Sequence, residues 1–225
     1  MRKIIITCLM AAMLFVGNVY AADTPLIKID EAVSNHEEYI DLSDTQLTSE
    51  ELVKTMTEYF GTYSNAGLIN CGFQAYDEDE NGLYDVIVPE YKYSEAMCHI
   101  INRQINRAED KIIAQTSTLS AEDKVKYVYT YFCTHFTYDD DLNYDLKHLY
   151  EENSGTCASF SVAFKNIMDK LDIPCKIVIS DDMTHEWNQV FINNEWRNID
   201  ITEGIRLYGT GYAGAVWRAY LTTNN

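Results

Sequence analysis

The sequence predicts an α+β fold, because its second half carries a helical pattern that is followed by three strand patterns. Residues Cys157–Leu171 have apolar side chains at helical spacing, and the pattern stops before Pro174. Strand patterns follow at Cys175–Ser180, His185–Ile192 and Glu195–Thr202. A helix followed by strands with short connections is typical of a helix packed on an antiparallel sheet.

The composition is that of a globular protein with an acidic surface. The chain has 225 residues, of which 47% are hydrophobic and 23% charged, with only 3 Pro and 10 Gly. Its net charge of -18 leaves no basic surface that could release counterions from a phosphate backbone. We therefore expect neither nucleic acid nor an anionic membrane as a partner.

The N terminus predicts a signal peptide over residues 1–21. Met1–Lys3 is cationic, Ile4–Val16 is an apolar run, and the small residues Val19 and Ala21 precede a cleavage site. The apolar run is shorter than the roughly 20 residues that a transmembrane helix needs. We therefore expect a protein that is secreted or stays at the cell surface, with no membrane association after cleavage.

The remaining chain is expected to consist of two parts. An N-terminal α+β subdomain is predicted over residues 22–117, and a core that contains the Cys157–Leu171 helix and the three strands is predicted over residues 118–225. The elements predicted upstream of Cys157 are a helix from Thr48 to about Tyr63, a hairpin of Leu68–Tyr76 and Leu83–Tyr93, a helix over Ser94–Ala114, and a helix capped by Ser120 that buries Val125, Val128, Tyr129, Phe132 and Phe136.

The tip of the predicted hairpin is acidic and resembles half of a calcium-binding loop. Asp77–Gly82 matches its first positions, and Asp85 stands at the ninth. The twelfth position is Val88, so the bidentate glutamate of such a loop is missing. A solvated hairpin tip is the favoured interpretation, and calcium is the alternative.

The cysteines predict no metal site but raise a question of pairing. The 6 cysteines include no CxxC pair and no Cys/His cluster at zinc-ligand spacing, so we expect neither a metal nor another cofactor. Removal of the leader takes away Cys8 and leaves an odd number, so at least one thiol has no intramolecular partner. Pairs Cys71–Cys98 and Cys133–Cys175 would leave Cys157 free, but the sequence does not choose among pairings.

Cys157 is the candidate nucleophile. It follows the polar run Asn153–Thr156 and begins a helical pattern, which places its sulfur at a helix N terminus. The macrodipole and the free N–H groups of such a terminus favour a thiolate. A buried inert thiol or half of a disulfide is the alternative interpretation of Cys157 taken alone.

Hairpin geometry supplies a base and an orienting carboxylate. If residues 193–194 form a two-residue turn, Ile192 pairs with Glu195, and His185 and Asp200 become diagonal neighbours on one face. Their backbones are then roughly 7–8 Å apart, within side-chain reach. A carboxylate there fixes the imidazole tautomer and stabilises imidazolium. A three-residue turn would put Asp200 on the other face, and a half-buried sheet histidine is the alternative for His185.

Together these elements resemble the transglutaminase-like superfamily over about residues 118–203. A cysteine at a helix start, a His-x-Trp element and an Asp-x-Thr element occur in that order. The matching stretches are Gly155–Cys157, Leu171–Pro174, His185–Asn188, Glu195–Trp196 and Asp200–Thr202, with an upstream helix that leads to Tyr138-Asp139. The chain departs from the family at Asp172, where members usually have Gly, and at Ala158-Ser159.

The resemblance implies a papain-like α+β core in which Cys157, His185 and Asp200 form a catalytic triad. The implied reaction is attack of the thiolate on a carboxamide of a peptide or protein, giving a thioester that water or an amine resolves. Trp187 is a candidate to shield the thioester and Tyr138 to line the substrate site, although both could also be packing aromatics.

We therefore expect an exported transglutaminase-like cysteine hydrolase or acyltransferase. The alternative from another class is a noncatalytic module that binds peptide or cell wall on the same scaffold. A third possibility is a structural domain held by disulfides, in which Cys157 would be paired.

Overall fold

The computed structural model describes residues 2–7, 24–139, 145–180, 184–209 and 220–222. Its α-helices and antiparallel sheets confirm the predicted α+β class. The chain divides into two compact units, one mainly of residues 1–100 and one mainly of residues 101–225. Among the described helices, none combines the length and the apolar character needed to cross a membrane.

The first unit is built around an antiparallel sheet. Its elements are strand β1 (Arg2–Thr7), helix α1 (Thr24–Ser34), strands β2 (Ile40–Asp41) and β3 (Leu47–Thr48), helix α2 (Ser49–Thr62), a 3-10 helix (Ser64–Leu68), strands β4 (Ile69–Asp77), β5 (Leu83–Tyr84) and β6 (Val86–Tyr91), and the start of helix α3 (Glu95–Ala114). The strand order of the sheet is β1-β4-β6-β2, and β3 pairs with β5 in a second, two-stranded sheet.

Helix α2 begins where the sequence predicts it. The Thr48 hydroxyl accepts a hydrogen bond from the Glu51 N–H, and the Glu51 carboxylate accepts one from the Thr48 N–H. These reciprocal bonds satisfy two backbone donors that the helix itself cannot use. The predicted capping box is therefore present.

The acidic tip between β4 and β5 is organised by a carboxylate that binds backbone donors. Asp77 is fully buried, and its oxygens accept hydrogen bonds from the N–H groups of Asn81 and Gly82 at 3.0 and 2.8 Å. Gly82 has φ of +90°, a conformation that favours glycine. Within the described ranges, no group of three or more His, Cys, Asp or Glu residues could hold a metal ion. Asp77 therefore has a turn-closing role.

The predicted signal peptide lies partly within the described chain. Residues 2–7 form β1, which pairs antiparallel with β4, whereas residues 8–23 lie outside the described residues. Cleavage after Ala21 would remove β1 and leave β4 as an edge strand of its sheet. The cleavage itself stays a prediction.

The division between the two units falls within α3, whereas the sequence analysis placed a boundary after residue 117. The C-terminal part of this helix is tied into the second unit by Glu109, which is 1% exposed. Its carboxylate lies 2.9 Å from the Lys170 ammonium and accepts hydrogen bonds from Tyr150 and Asn166. A buried carboxylate needs such partners, and here they fix that part of α3 to the second unit.

The second unit contains the helix-then-sheet order that the sequence predicts. Its elements after α3 are α4 (Ala121–His135), β7 (Thr137–Tyr138), α5 (Leu146–Glu152), β8 (Ser154–Gly155), α6 (Cys157–Lys170), β9 (Cys175–Ile179), β10 (Glu186–Ile192), β11 (Glu195–Ile199), α7 (Ile201–Gly209) and β12 (Tyr220–Thr222). Its sheet has the strand order β12-β11-β10-β9, and β7 pairs in parallel with β8.

The core of this unit is an aromatic cluster between α4 and α6. Phe132 stacks on Phe136 with ring centroids 4.9 Å apart, and both contact Phe160 edge-on. Phe164 completes the cluster, and it is fully buried together with Phe132. The predicted apolar faces of the two helices are thus packed against each other, which fixes the start of α6 relative to α4.

Helix α6 has clear start and stop signals. The hydroxyl of Thr156 accepts from the Ser159 N–H, and the Ser159 hydroxyl accepts from the Thr156 N–H, so Ser159 completes a capping box. After the helix ends, Asp172 has φ of +55°. This left-handed conformation is the physical reason why glycine suits that position, where this chain departs from the family pattern. Pro174 then prevents the helix from continuing.

The β10–β11 hairpin has the register predicted from a two-residue turn. Ile192 pairs with Glu195, and the register continues without interruption to Asn188 and Ile199. The turn residues Asn193 and Asn194 both have positive φ, 53° and 67°, as a type I′ turn requires. Because the side-chain period of a strand is two, this register fixes which residues share each face.

The same turn allows a small stability prediction. Glycine adopts the positive φ of position 194 without the strain of a Cβ atom, so we expect Asn194→Gly to raise the free energy of unfolding by up to about 1 kcal/mol. Asn194→Val is the matched control and should lower it by about 1–2 kcal/mol, because a β-branched residue is strained there. Urea unfolding measures both; equal effects of the two variants would contradict the turn assignment.

The predicted strand Glu195–Thr202 is wrong at its C-terminal end. Strand β11 ends at Ile199, and Ile201 begins helix α7. The physical reason is a cap: the Asp200 carboxylate accepts a hydrogen bond from the Glu203 N–H at 2.9 Å, which favours a helix start. Ile201 and Ile205 are buried one turn apart on this helix.

The disulfides considered from the sequence are not formed. Cys98, Cys133, Cys157 and Cys175 are all free thiols. Cys133 and Cys98 are buried, whereas Cys157 and Cys175 are partly exposed. The free thiol of Cys157 therefore does not support the alternative of a structural domain held by disulfides.

Candidate active site

The structure places Cys157 at the first position of α6. Strand β8 leads into it, and the bond between Thr156 and Ser159 closes the turn below it. Because Thr156 is the N-cap, the backbone N–H groups of Cys157 and Ala158 have no acceptor within the helix. Cys157 is partly exposed, so its sulfur is held next to free donors at a site that solvent reaches.

His185 lies between Asp200 and Cys157. Its Nε2 atom is 2.8 Å from Asp200 Oδ2, and its ring also hydrogen bonds with the Cys157 side chain. The hydrogen bond to Asp200 is the main cause that raises the pKa of His185 to about 10, and the bond to Cys157 adds to it. Imidazolium is therefore the favoured form at neutral pH.

Asp200 uses its two oxygens for different tasks. Oδ2 faces His185, whereas Oδ1 caps helix α7 by accepting the Glu203 N–H. The side chains of His185 and Asp200 are 34% and 25% exposed, so water screens their attraction only in part. Because the same carboxylate caps a helix and binds the imidazole, the position of α7 is coupled to the position of the His185 ring.

A close contact behind Asp200 escaped the sequence analysis. A Cβ atom at Gly204 would lie 2.4 Å from the Tyr129 hydroxyl and 2.5 Å from Cys133 Sγ. Burial, with a smaller contribution from Asp200, raises the pKa of the Cys133 thiol to about 12 despite its bond with Tyr129. Gly204 therefore allows α7 to approach α4. A glycine inside an amphipathic helical pattern is the signal that could have revealed this contact.

Trp187 lies beside the base on the same face of the sheet. Its ring is nearly parallel to that of His185, with centroids 5.8 Å apart and 23° between the planes. The indole N–H donates to Asn198 Oδ1 at 3.0 Å, and Gln189 donates to the same oxygen at 2.9 Å. The indole is therefore fixed against the imidazole on the face that carries Asp200.

Tyr138 lies next to the strand that precedes Cys157. In the parallel pair of β7 and β8, Tyr138 is opposite Gly155, and the Asp139 N–H donates to the Gly155 carbonyl. The Tyr138 side chain is 40% exposed. The backbone of Tyr138 therefore lies beside the strand that leads to Cys157.

Glu186 is a further residue that the sequence analysis did not identify. It follows His185 directly, and within the described chain its buried Oε2 atom has no hydrogen-bond partner. Burial raises the pKa of this carboxyl to about 7, although His185 opposes the shift. In the sequence, Glu186 is distinguished only by its place directly after His185.

The family comparison matches the part of the chain that contains this site. Residues 107–201 match the model of the transglutaminase-like superfamily, a range that includes Cys157, His185 and Asp200. No curated protein is significantly similar to the chain.

Solved structures resemble the fold only distantly. A structure of a TGase is 17% identical, and the match covers 72% of this chain and 47% of that one, with a TM-score of 0.41. The periplasmic domain of TgpA from Pseudomonas aeruginosa is 12% identical, with 65% and 67% covered and a TM-score of 0.40. The same domain bound to ethylmercury is 12% identical, with 58% and 64% covered and a TM-score of 0.37. The chain spans less than half of the first structure's length.

Proposed function

Because residues 107–201 form a core of the transglutaminase-like superfamily, we propose that the protein is a thiol enzyme that attacks amide bonds of peptides or proteins. The observation that carries this proposal is the position of His185 between a carboxylate and a thiol, with Asp200 at 2.8 Å. A nucleophile, a base and an orienting group in this order are what covalent acyl transfer requires.

The first half of the reaction forms a thioester. The Cys157 thiolate adds to the carbonyl carbon of a carboxamide, and the carbonyl electrons move to oxygen. The backbone N–H groups at the start of α6 are positioned to donate to this oxyanion. The tetrahedral intermediate then expels the amine, which takes the proton of the His185 imidazolium as the C–N bond breaks.

The second half of the reaction releases the acyl group. His185 is now neutral and accepts a proton from the water or amine that adds to the thioester carbonyl, while Asp200 holds its ring in place. The tetrahedral intermediate then collapses, the C–S bond breaks, and the Cys157 thiolate is restored beside the His185 imidazolium. Water gives hydrolysis, and a primary amine gives transamidation. Both outcomes use the same thioester, so access of water and amine decides between them.

Two aromatic residues are proposed to contact the substrate. Trp187 is held by Asn198 next to the imidazole, a position from which an indole would exclude water from the thioester. Tyr138 is exposed on the strand beside Gly155, where its ring would line the approach to Cys157. Aromatic side chains with a polar tip are suited to both tasks.

Export to an extracytoplasmic space is part of the proposal. The cationic start, apolar run and small residues before position 22 support a cleaved leader. The proposed partners are a peptide or protein substrate alone, with no nucleic acid and no membrane association after cleavage.

Thiol labelling tests the proposed nucleophile. We expect iodoacetamide to label Cys157 in the native protein at pH 5, where an ordinary thiol with a pKa of about 8.5 is almost entirely protonated. Mass spectrometry identifies the labelled peptide. Buried Cys98 and Cys133 are internal controls and should react only after unfolding.

His185→Ala is the matched variant for this experiment. It should abolish labelling at pH 5 and retain labelling at pH 8, because only the ion pair supplies thiolate in acid. Recovery of Cys157 in a disulfide, or equal labelling of both proteins at pH 5, would overturn the proposal.

A second experiment separates hydrolysis from transamidation. A glutamine-containing protein is incubated with the enzyme in the presence and absence of a labelled primary amine. Stoichiometric incorporation of label identifies a transferase, whereas release of ammonia or of new peptide ends without label identifies a hydrolase. Absence of both reactions across peptide and protein substrates would favour the noncatalytic binding module.

A further inference from the structure

Glu186 is a half-buried residue with a buried Oε2 atom, and it lies on the side of the sheet that α6 covers. The amide of Asn188 donates to the Ser161 carbonyl of α6 at 2.9 Å, and Val190 on the same face is fully buried. Glu186 is two residues before Asn188, so its side chain points to the same face. Trp187, one residue away, points to the opposite face and bonds there with Asn198.

The direction of β10 brings Glu186 to the Cys157 end of α6. Two residues along a strand span about 6.6 Å, and the one turn from Ser161 back to Cys157 spans about 6 Å. At the other end, Val190 pairs with Cys175, which interacts electrostatically with Lys165 of α6. Strand and helix therefore run side by side, and Glu186 stands beside the start of the helix.

The ionisable groups on this side of the sheet leave Glu186 without a countercharge of its own. Those groups are Cys157 at the near end of α6, and Lys165, Asp169 and Cys175 farther along. His185 precedes Glu186 on the chain and faces the opposite side of the sheet, from which its charge lowers the pKa of Glu186 without offsetting the effect of burial. His185 is already bonded to Asp200 and Cys157. An unpaired buried carboxyl in such surroundings holds its proton near neutral pH, and the buried Oε2 atom of Glu186 has no partner among the described residues.

We propose that Glu186 is a specificity-determining residue, whose ionisation places a negative charge beside Cys157 and favours substrates with a positive charge next to the scissile amide. This inference rests on the proposed thiol chemistry. Below neutral pH the carboxyl is protonated and the preference is weak; above neutral pH the carboxylate repels anionic substrates and attracts cationic ones. No contact between Glu186 and the substrate is needed, because the effect acts through the charge.

Two alkylating reagents of similar size and different charge measure this effect. Iodoacetamide is neutral and iodoacetate is an anion, and both react with the same sulfur. Both rate constants are proportional to the fraction of Cys157 that is thiolate, so this fraction cancels when one is divided by the other. The remaining pH dependence of the ratio reports the charge near the sulfur, because only iodoacetate is charged. In the unmodified protein we expect the rate constant for iodoacetamide, divided by that for iodoacetate, to rise by about 3- to 10-fold between pH 5.5 and 8.5.

Glu186→Gln is the matched variant, since it keeps the shape of the side chain and removes the charge. All other charges are common to both proteins, so a rise that occurs only in the unmodified protein is due to Glu186. In Glu186→Gln we expect the ratio of the two rate constants to change by less than about 1.5-fold over the same pH range. Glu186→Asp keeps an ionisable group and should restore the rise. If the glutamine variant does not fold, a ratio that stays flat in the unmodified protein and in Glu186→Asp still overturns the proposal.

The experiments distinguish a failure of the proposed Cys157 chemistry from a failure of the proposed role of Glu186. If Cys157 is not labelled at pH 5 by iodoacetamide, the proposed thiol chemistry fails. If Cys157 is labelled but the ratio rises equally in the unmodified protein and in Glu186→Gln, or stays flat in both, the role of Glu186 is overturned. A purely structural role of Glu186 would change stability without changing the pH dependence of the ratio.

Discussion

Replacement of Asp200 by asparagine is expected to lower kcat for an amide substrate by about 10³- to 10⁴-fold while the protein stays folded. The carboxylate is the main cause of the raised pKa of His185, and an amide cannot replace its charge. The amide group of the Asp200→Asn side chain would also donate to Nε2 and so place the ring proton on Nδ1. The nitrogen available to Cys157 would then carry a proton and could not act as a base.

The loss of kcat can be distinguished from a loss of stability because Asp200 is also the N-cap of helix α7. Asparagine is as good an N-cap as aspartate, so the bond to the Glu203 N–H should persist in Asp200→Asn. Asp200→Ala removes both functions and should cost about 1 kcal/mol of unfolding free energy in addition. Kinetics with an amide substrate and urea unfolding measure the two effects. Activity within tenfold of the unmodified enzyme in Asp200→Asn would contradict the role of the carboxylate.

The register of the β10–β11 hairpin was predictable because two local rules agree. Asparagine tolerates the positive φ of a type I′ turn at Asn193 and Asn194, and a strand alternates its faces with a period of two. Together they place His185 and Asp200 on one face without any knowledge of the rest of the fold. The hydrogen bond at 2.8 Å agrees with that expectation, and the start of α6 at Cys157 follows likewise from its cap at Thr156.

The end of β11 was predicted wrongly because one pattern fits two structures. Ile199 and Ile201 alternate with polar residues as in a strand, and the alternation favoured an extended chain as far as Thr202. Ile201 and Ile205 are also four apart, as on a helix face, and Asp200 stands at an N-cap position. The carboxylate decides between the two, because it satisfies a backbone donor that only the helix leaves free.

The surroundings of the triad were not predictable from local rules. Glu186 differs from other strand glutamates only because α6 covers its face, and Cys133 lies under Asp200 only because α4 and α7 meet there. Both features depend on distances between elements that are remote in sequence. The family resemblance implies a triad of Cys157, His185 and Asp200 but carries no information on these neighbours.

The contact between α7 and α4 yields the second large prediction. We expect Gly204→Ala to lower the free energy of unfolding by about 2–3 kcal/mol, because the added methyl group would overlap the Tyr129 hydroxyl and Cys133 Sγ. Both atoms belong to buried side chains, which cannot swing into solvent. If α7 moves to relieve the overlap, Asp200 moves with it as the cap, so the rate of amide turnover should fall as well.

Gly209 on the same helix provides the control. No described atom lies within 4 Å of a Cβ at this position, so Gly209→Ala should raise the free energy of unfolding by up to about 1 kcal/mol through helix propensity. Tyr129→Phe with Cys133→Ala should restore part of the stability and activity lost in Gly204→Ala, since both overlapping atoms are then absent. If Gly204→Ala instead stabilises the protein as Gly209→Ala does, the close approach of α7 to α4 is wrong, and the position of Asp200 must be set by its own hairpin alone.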